Sequence, residues 1–272
     1  MCYDNVMKNL FIDNLIGAPT TLRTQRSLFK NHIQPYLKNR KLDVNFVQEM
    51  VHVWLDWELK PGSIRQLISL LKRYIQWETG VVVDCSQIVR KVGRMSGPVK
   101  IKAWTKEERN RALAVAKAID KECHDMMLFT LHTGVRKGEM QALRASDIDF
   151  LHSRVLIRQS KNGRPRTIPM SREVEELLQS GYIVGEESKH IFSQKDPNNR
   201  LARICQVAEV RPLTWHGLRH TFATIALEAA FKQGSNISPR TIQQILGHTK
   251  FSTTVDLYWS CVNEDLDLSF LS

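Results

Sequence analysis

The sequence predicts a mainly α-helical protein with a small antiparallel β-sheet, divided into two domains. Apolar residues at helical spacing and helix-capping residues recur along most of the 272-residue chain, and one β-branched segment alternates on both sides of a turn. A chain of this length is near the size at which a single hydrophobic core divides in two. We therefore predict a helical domain at residues 1–82, a linker at 83–103 and a second domain at 104–272.

The first domain is predicted from helical segments that are separated by turn residues. Thr20 opens a segment that extends to about Tyr36, and Pro61-Gly62 closes the next one. Ser63 is a candidate N-cap for a third segment, whose apolar residues share one face until Gly80 ends it. Three tryptophans are expected in the core rather than as platforms for stacking bases: Trp54, Trp57 and Trp77.

The linker is predicted from composition, because the residues up to Ala103 mix glycine, proline and basic side chains without a sustained period. The second domain then opens with Thr105 and Glu108, which are spaced as a helix capping box. A helix from about 122 to 132 is expected to end at Gly134, and a short helix follows at about 137–144.

A β-hairpin is predicted around Lys161. The segment SRVLIRQSKNGRPRTIPM alternates and is β-branched on both sides of Lys161-Asn162-Gly163-Arg164, as is typical of two antiparallel strands. This pattern places Lys161 in the turn. A solvent-exposed turn lysine is commoner than a catalytic one, so the spacing alone does not assign it a function.

A later helix is predicted to present a pair of basic residues near its start. Thr214 is a candidate N-cap, and His216 and Arg219 are three residues apart on one face of the first turns. Free backbone N–H groups and the positive end of the helix dipole lie at the same place. This arrangement predicts a binding site for an anionic phosphate.

A second histidine is predicted at a helix end. Ser238-Pro239 begins a helix that Gly247 ends, so His248 follows directly on a turn. A single histidine is more often structural than catalytic. Ser252 is a candidate N-cap for a last helix that carries Tyr258.

The charge of the chain indicates a polyanionic partner. There are 39 Lys and Arg against 28 Asp and Glu, a formal charge of +11, which makes nucleic acid the leading candidate and a generally basic protein the alternative. Five scattered cysteines lack the spacing of zinc ligands. We expect no metal or nucleotide cofactor, since neither an acidic cluster nor a GxxxxGK[ST] loop is present. With no signal peptide or long apolar run in the sequence, we expect a place in the cytoplasm or on the chromosome.

Several motifs together resemble one known family. TGVRKGEMQALR, SKNGRPRTIPM, HGLRHTFAT and LGHTKFSTTVDLY follow one another in an order similar to that of the phage-integrase family of tyrosine site-specific recombinases. The resemblance covers about residues 105–260, and more loosely the N-terminal helices, which resemble that family's SAM-like core-binding domain. It implies a C-terminal catalytic domain of the tyrosine-recombinase type.

The resemblance also implies which residues act in the reaction. Glu139 is expected to orient the first arginine, and Gly217 stands where an aspartate is common in the family. None of the six implied catalytic positions is substituted. These positions are Arg136, Lys161, His216, Arg219, His248 and Tyr258.

The implied reaction is strand exchange through a 3′-phosphotyrosine on Tyr258, without ATP or metal. We expect Arg136 and Arg219 to bind nonbridging phosphate oxygens, His216 to assist the tyrosine, Lys161 to protonate the leaving oxygen and His248 to hydrogen-bond the phosphate. The implied partners are double-stranded DNA, a homotetramer on two DNA sites and a possible DNA-bending accessory factor, with no membrane.

Other functions remain open at this point. A type IB topoisomerase would share the tyrosine chemistry but relax DNA without choosing a site, and an architectural DNA-binding protein would keep the fold without cleaving. Integration, excision, resolution and inversion are all compatible with the resemblance. The apolar residues of the tail after Tyr258 are expected to dock on a neighbouring subunit, and the chain is expected to lack an arm-binding domain before its core-binding domain.

Overall fold

A computed structural model describes residues 10–95, 103–158, 165–181, 190–193, 195–231 and 237–250. The chain divides into two compact units, residues 1–99 and 100–272. The described parts of both units are mostly helical, and the second contains a three-stranded antiparallel sheet. The predicted fold class is therefore confirmed. Within the described ranges, no helix is long and apolar enough to cross a membrane.

The first unit packs its helices around an aromatic and aliphatic core. Phe29, Trp54 and Leu67 are fully buried, and the Trp54 indole N–H donates to the His32 carbonyl at 3.1 Å. Asp43 caps the second helix by accepting from two backbone N–H groups. The helices whose two ends both lie within the described ranges are α1 (Pro19–His32), α2 (Val44–Asp56), α3 (Pro61–Thr79) and α4 (Ser86–Arg94).

Three predictions for the first unit are corrected. Pro61 opens α3 instead of closing α2, because the fixed φ of proline suits the first position of a helix. Ser63 therefore lies in the first turn of α3, and Lys60 occupies the N-cap position. Trp57 lies at the C-cap of α2, where the chain leaves the helix, and is 45% exposed. Trp54 is buried in the core as predicted, and Trp77 is partly buried and packs against that core.

The first predicted helix is also shorter than expected. Residues beyond Thr20 are helical to His32, where α1 ends, and a separate 3₁₀ turn covers Gln34–Tyr36. Pro35 lies inside that turn, and a proline removes the backbone N–H that a continuing α-helix would need.

Part of the predicted linker at 83–103 is helical. α4 lies within it, and Cys85 and Val92 are buried in the core of the first unit. Its apolar residues are too few to identify a helix by periodicity, so the helix depends on packing against the rest of the unit. Residues 96–102 lie outside the described ranges.

The second unit places two buried helices side by side at its centre. In the part of this unit that the structure describes, the helices are α5 (Lys106–Ile119), α6 (Lys121–Thr133), α7 (Lys137–Ala142), α8 (Arg172–Gly181), α9 (Asn198–Val207), α10 (Trp215–Phe231) and α11 (Pro239–Leu246). α6 and α10 are joined in the core by Trp215, whose indole N–H donates to Thr130 Oγ1 at 3.0 Å. α6 ends at Thr133, shortly before the start of α7, and α10 itself carries residues of the candidate site.

The sheet of the second unit contains the predicted hairpin. Its strands are β1 (Ile148–Asp149), β2 (Arg154–Ile157) and β3 (Arg166–Pro169), in the order β1-β2-β3. β2 and β3 pair antiparallel, with Ile157 opposite Arg166 and Arg154 opposite Pro169. The two arms are therefore as predicted, while residues 159–164, which include Lys161, lie outside the described ranges.

Four of the local signals that predicted helix boundaries in the second unit are confirmed. Thr105 and Glu108 form a reciprocal capping box, with bonds of 2.9 and 3.2 Å. Ser238 accepts from a backbone N–H at the start of α11. Gly134 ends α6 with φ of +64°, and Gly247 ends α11 with φ of +63°.

Replacing Gly134 is expected to destabilise the second unit. An added Cβ would lie 2.3 Å from Phe222 Cδ1, and the backbone is left-handed. The left-handed conformation costs a non-glycine residue about 1–2 kcal/mol, and an overpacked contact costs about 1–3 kcal/mol. We therefore expect Gly134→Ala to lower the free energy of unfolding by about 2–5 kcal/mol, measured by urea denaturation.

Gly80→Ala is the matched control in the first unit. Gly80 also has a positive φ, +73°, but nothing lies within 4 Å of its added Cβ. Only the backbone cost of about 1–2 kcal/mol is expected there. Equal losses of stability in the two variants would contradict the steric argument at Phe222.

Candidate active site

Arg136 lies two residues beyond the glycine that ends α6, at the N-cap of α7. Its backbone N–H donates to Glu139 Oε2 at 2.9 Å, and its Nη1 donates to Glu139 Oε1 at 2.8 Å. Its Nη2 donates to the Gly247 carbonyl at 3.2 Å. The guanidinium is thus held on two sides, while 22% of the side chain stays exposed to a ligand.

Arg219 lies in the second turn of α10 and is only 3% exposed. Its Nη1 donates to the Gly134 carbonyl at 2.6 Å, and its Nη2 donates to the Leu246 carbonyl at 2.5 Å. Burial and the nearby charge of Arg136 lower the pKa of Arg219 to about 9, so it stays positively charged at neutral pH. The ends of α6 and α11 therefore fix this cation in place.

Glu139 is a buried carboxylate shared by two arginines. It accepts from Arg136 and from Arg166, whose Nη1 and Nη2 donate to its two oxygens at 2.9 and 2.7 Å. Burial alone raises the pKa of the Glu139 carboxyl, but the hydrogen bonds from Arg166 and Arg136 outweigh it and lower that pKa to about 2. The group is therefore ionised at neutral pH.

Arg166 is the site residue that the sequence interpretation missed. It lies on β3, and its Nε also donates to the Ile245 carbonyl at 2.7 Å. Its side chain is 10% exposed. Side chains two apart on a strand share a face, so the buried Ile168 indicated that Arg166 points inward. A basic residue on the core face of a strand needs a buried partner, and this was the available signal.

Three histidines lie around the arginines. His216 is exposed in the first turn of α10, and its ring meets the His220 ring edge to face at 4.5 Å between centroids. His248 follows α11 and is half-buried. Burial, followed by the charges of Arg219 and Arg136, lowers the pKa of His248 to about 4. His248 is therefore neutral at pH 7 and can donate one hydrogen bond and accept another.

Acid is expected to destabilise the second unit through His220. Burial, followed by the charges of His216 and Arg219, lowers its pKa from 6.5 to about 4. Between these values the unfolded chain binds a proton that the folded chain does not, so the free energy of unfolding falls as the pH decreases from 6.5 to 4. We expect the melting temperature to fall over that window, and to fall less in His220→Gln.

The exposed His52 of the first unit provides the control for this pH dependence. His52→Gln makes the same substitution outside the second unit, and its melting temperature is compared over the same pH window. If His220→Gln keeps the wild-type slope, the acid sensitivity arises elsewhere.

The structure brings four of the six implied catalytic residues into one region. Arg136, Arg219 and His248 surround the end of α11, and His216 lies one turn before Arg219. Lys161 and Tyr258 lie outside the described residues. Among the residues that are described, no group of three His, Cys, Asp or Glu side chains could hold a metal ion. The two guanidiniums can bind an anion with several oxygens.

Comparison with known proteins extends this description. Residues 102–263 match the model of the phage integrase family. Tyrosine recombinase XerA of Saccharolobus solfataricus is 30% identical over 217 residues, which cover 78% of this chain and 68% of that protein. The integrase of Escherichia phage P2 is 31% identical, in an alignment that covers 84% of this chain and 77% of the phage protein.

A solved structure shares the fold. A lambda integrase tetramer bound to a Holliday junction matches with a TM-score of 0.74 at 18% identity, over 98% of this chain and 79% of that one. The likeness shows that the two chains share a fold.

Proposed function

Since the chain belongs to the phage integrase family, we propose that Tyr258 is the nucleophile that attacks the scissile phosphate. The protein is a site-specific recombinase that cleaves and rejoins double-stranded DNA. In the proposed first step a bond forms between the tyrosine oxygen and phosphorus, and the bond from phosphorus to the 5′ oxygen breaks. A 3′-phosphotyrosine and a free 5′-hydroxyl result, and the reverse step joins a new strand.

The convergence of Arg136 and Arg219 is the observation that carries this proposal. The two guanidiniums come from separate segments and are held by adjacent carbonyls, those of Gly247 and Leu246. A phosphodiester under attack gains charge on its nonbridging oxygens, and preorganised cations at fixed positions stabilise that charge. Planar guanidiniums suit the task because each can donate two parallel hydrogen bonds.

The histidines and Lys161 supply the remaining proton and hydrogen-bond functions. We propose that His216 assists loss of the phenol proton, because tyrosine with its ordinary pKa of about 10 is a poor nucleophile at neutral pH. His248 donates to a nonbridging oxygen from its neutral ring. Lys161 protonates the leaving 5′ oxygen. The roles of Lys161 and Tyr258 are supported by the family match, whose range of 102–263 includes both residues.

The first unit is proposed to be the core DNA-binding domain. Between α1 and α3 an open cavity of about 770 Å³ has both apolar and polar side chains in its lining, and the polar ones can contact phosphates and base edges. These include Thr24, Gln25, Arg65, Gln66 and Arg73.

A tetramer on two DNA sites is the proposed assembly. Each tyrosine cleaves one strand, and exchange between two duplexes requires four strand cleavages. The lambda integrase tetramer on a Holliday junction supports this stoichiometry. We propose integration or excision of a mobile element as the outcome, with an accessory DNA-bending factor as a further possible partner.

Covalent trapping tests the proposed chemistry. Wild-type protein is incubated with a pool of nicked duplexes. Cleavage next to the nick releases a short strand that diffuses away, so the protein cannot rejoin the DNA. A protein–DNA adduct that survives denaturing electrophoresis is digested, and mass spectrometry should place the nucleotide on Tyr258. Sequencing of the trapped DNA gives the recombination site. An adduct on another residue would overturn the assignment, and equal trapping on all sequences would favour topoisomerase-like relaxation.

A further inference from the structure

Arg166 contacts two parts of the candidate site at once. One edge of its guanidinium donates to both oxygens of Glu139, and its Nε donates to the Ile245 carbonyl at the end of α11. All three nitrogens are used, in directions set by one rigid plane. A lysine ammonium is a single point charge and cannot make these contacts together.

The end of α11 is held by three arginines in succession. Its last carbonyls carry the negative end of the helix dipole and have no partner within the helix. Each accepts from a different guanidinium, and His248 follows immediately. The pairs are Ile245 with Arg166, Leu246 with Arg219, and Gly247 with Arg136.

Arg166 also changes the charge that Arg136 presents. If Glu139 faced Arg136 alone, the carboxylate would offset most of that arginine's charge. Arg166 donates two hydrogen bonds to the same carboxylate. Glu139 can therefore orient Arg136 while the group of arginines around it keeps a net positive charge. Three arginines and one carboxylate leave a formal charge of two positive, which suits a phosphate whose negative charge increases during attack.

We propose that Arg166 is a positioning residue for the phosphate site, an inference that rests on the proposed function. It acts through Glu139 on Arg136 and through the Ile245 carbonyl on the turn that carries His248. Arg166 lies five residues after Lys161 in the sequence. β3, which follows the segment with the proposed general acid, is therefore joined to groups that bind the phosphate.

Arg166→Lys tests the proposal by keeping the charge and removing the planar contacts. Single-turnover adduct formation is measured at saturating DNA, on the site recovered by trapping, and is normalised to the folded fraction. A misplacement of about 1 Å at a reacting centre can cost about a hundredfold in rate. We expect cleavage to slow by about tenfold to a hundredfold, with DNA affinity within about twofold of wild type.

The exposed Arg154, on the neighbouring strand β2, provides the matched control. Arg154→Lys should cleave at the wild-type rate. If Arg166→Lys also does so after normalisation, Arg166 only stabilises the fold and the proposal is overturned.

A double-mutant cycle tests whether Arg166 acts through Glu139. Adduct formation is compared for Glu139→Gln, Arg166→Lys and the double variant. If the two residues act as one unit, the double variant should be about as slow as the slower single variant. Rate losses that multiply would show independent action and overturn the proposed route.

A modified substrate distinguishes a positioning role of Arg166 from a general disturbance of the fold. A methyl group replaces one nonbridging oxygen of the scissile phosphate and removes the charge that the arginines face. The rate ratio of wild type to Arg166→Lys should then shrink by about tenfold, as the electrostatic contribution is lost. An unchanged ratio would overturn the proposal. If wild type itself forms no adduct on Tyr258, the proposed function is wrong and this inference falls with it.

Discussion

Tyr258→Phe is expected to abolish the covalent protein–DNA adduct and leave DNA binding within about twofold of wild type. Phenylalanine keeps the ring but has no oxygen to bond to phosphorus, so the first chemical step cannot occur. Binding depends mainly on contacts between basic side chains and phosphates, which this substitution does not alter. The measurement is denaturing electrophoresis of nicked duplex incubated with each protein, beside a gel-shift titration on the same DNA.

Tyr36→Phe is the control, since it makes the same chemical change in the first unit. It should form the adduct at the wild-type rate. An adduct that persists in Tyr258→Phe would mean that another residue is the nucleophile. Loss of DNA binding in that variant would mean that the substitution disturbed the fold.

Arg219→Lys is expected to lower the rate of cleavage by about a hundredfold to a thousandfold, the usual effect of removing one preorganised donor from a developing anion. Lysine keeps a positive charge but cannot hold the Gly134 and Leu246 carbonyls and a phosphate at once. The measurement is single-turnover adduct formation at saturating DNA.

Stability must be followed in the same variant, because Arg219 is buried. A carbonyl left without its partner costs about 1–3 kcal/mol, so urea denaturation of Arg219→Lys gives the folded fraction. Arg203→Lys, at an exposed position of α9, should change neither rate nor stability. A normalised cleavage rate within about threefold of wild type would show that Arg219 does not stabilise the phosphate during attack.

Local signals explain why the helices of the second unit could be predicted well. A capping box, an N-cap serine and two left-handed glycines each depend on residues within one turn of the boundary that they define. The hairpin arms likewise follow from alternation and β-branching alone. Pro61 shows the limit of such signals, because a proline can follow one helix or begin the next. The predicted role, closing the preceding segment, is wrong.

Contacts between distant segments explain what the sequence could not predict. The sequence predicts a linker where α4 lies, because the few apolar residues of α4 become informative only beside the core that they join. Arg166 was missed because its partners, Glu139 and Ile245, are 27 and 79 residues away. Lys161 and Tyr258 were assigned from family motifs, and their roles stay predictions.

The carbonyls at the end of α11 also affect the entropy of catalysis. A free arginine side chain loses up to about 2 kcal/mol of rotamer entropy when a ligand immobilises it. Arg136 and Arg219 are already immobilised by main-chain acceptors before any phosphate arrives. Their ordering accompanies folding, so binding energy from the DNA remains available to orient the scissile phosphate.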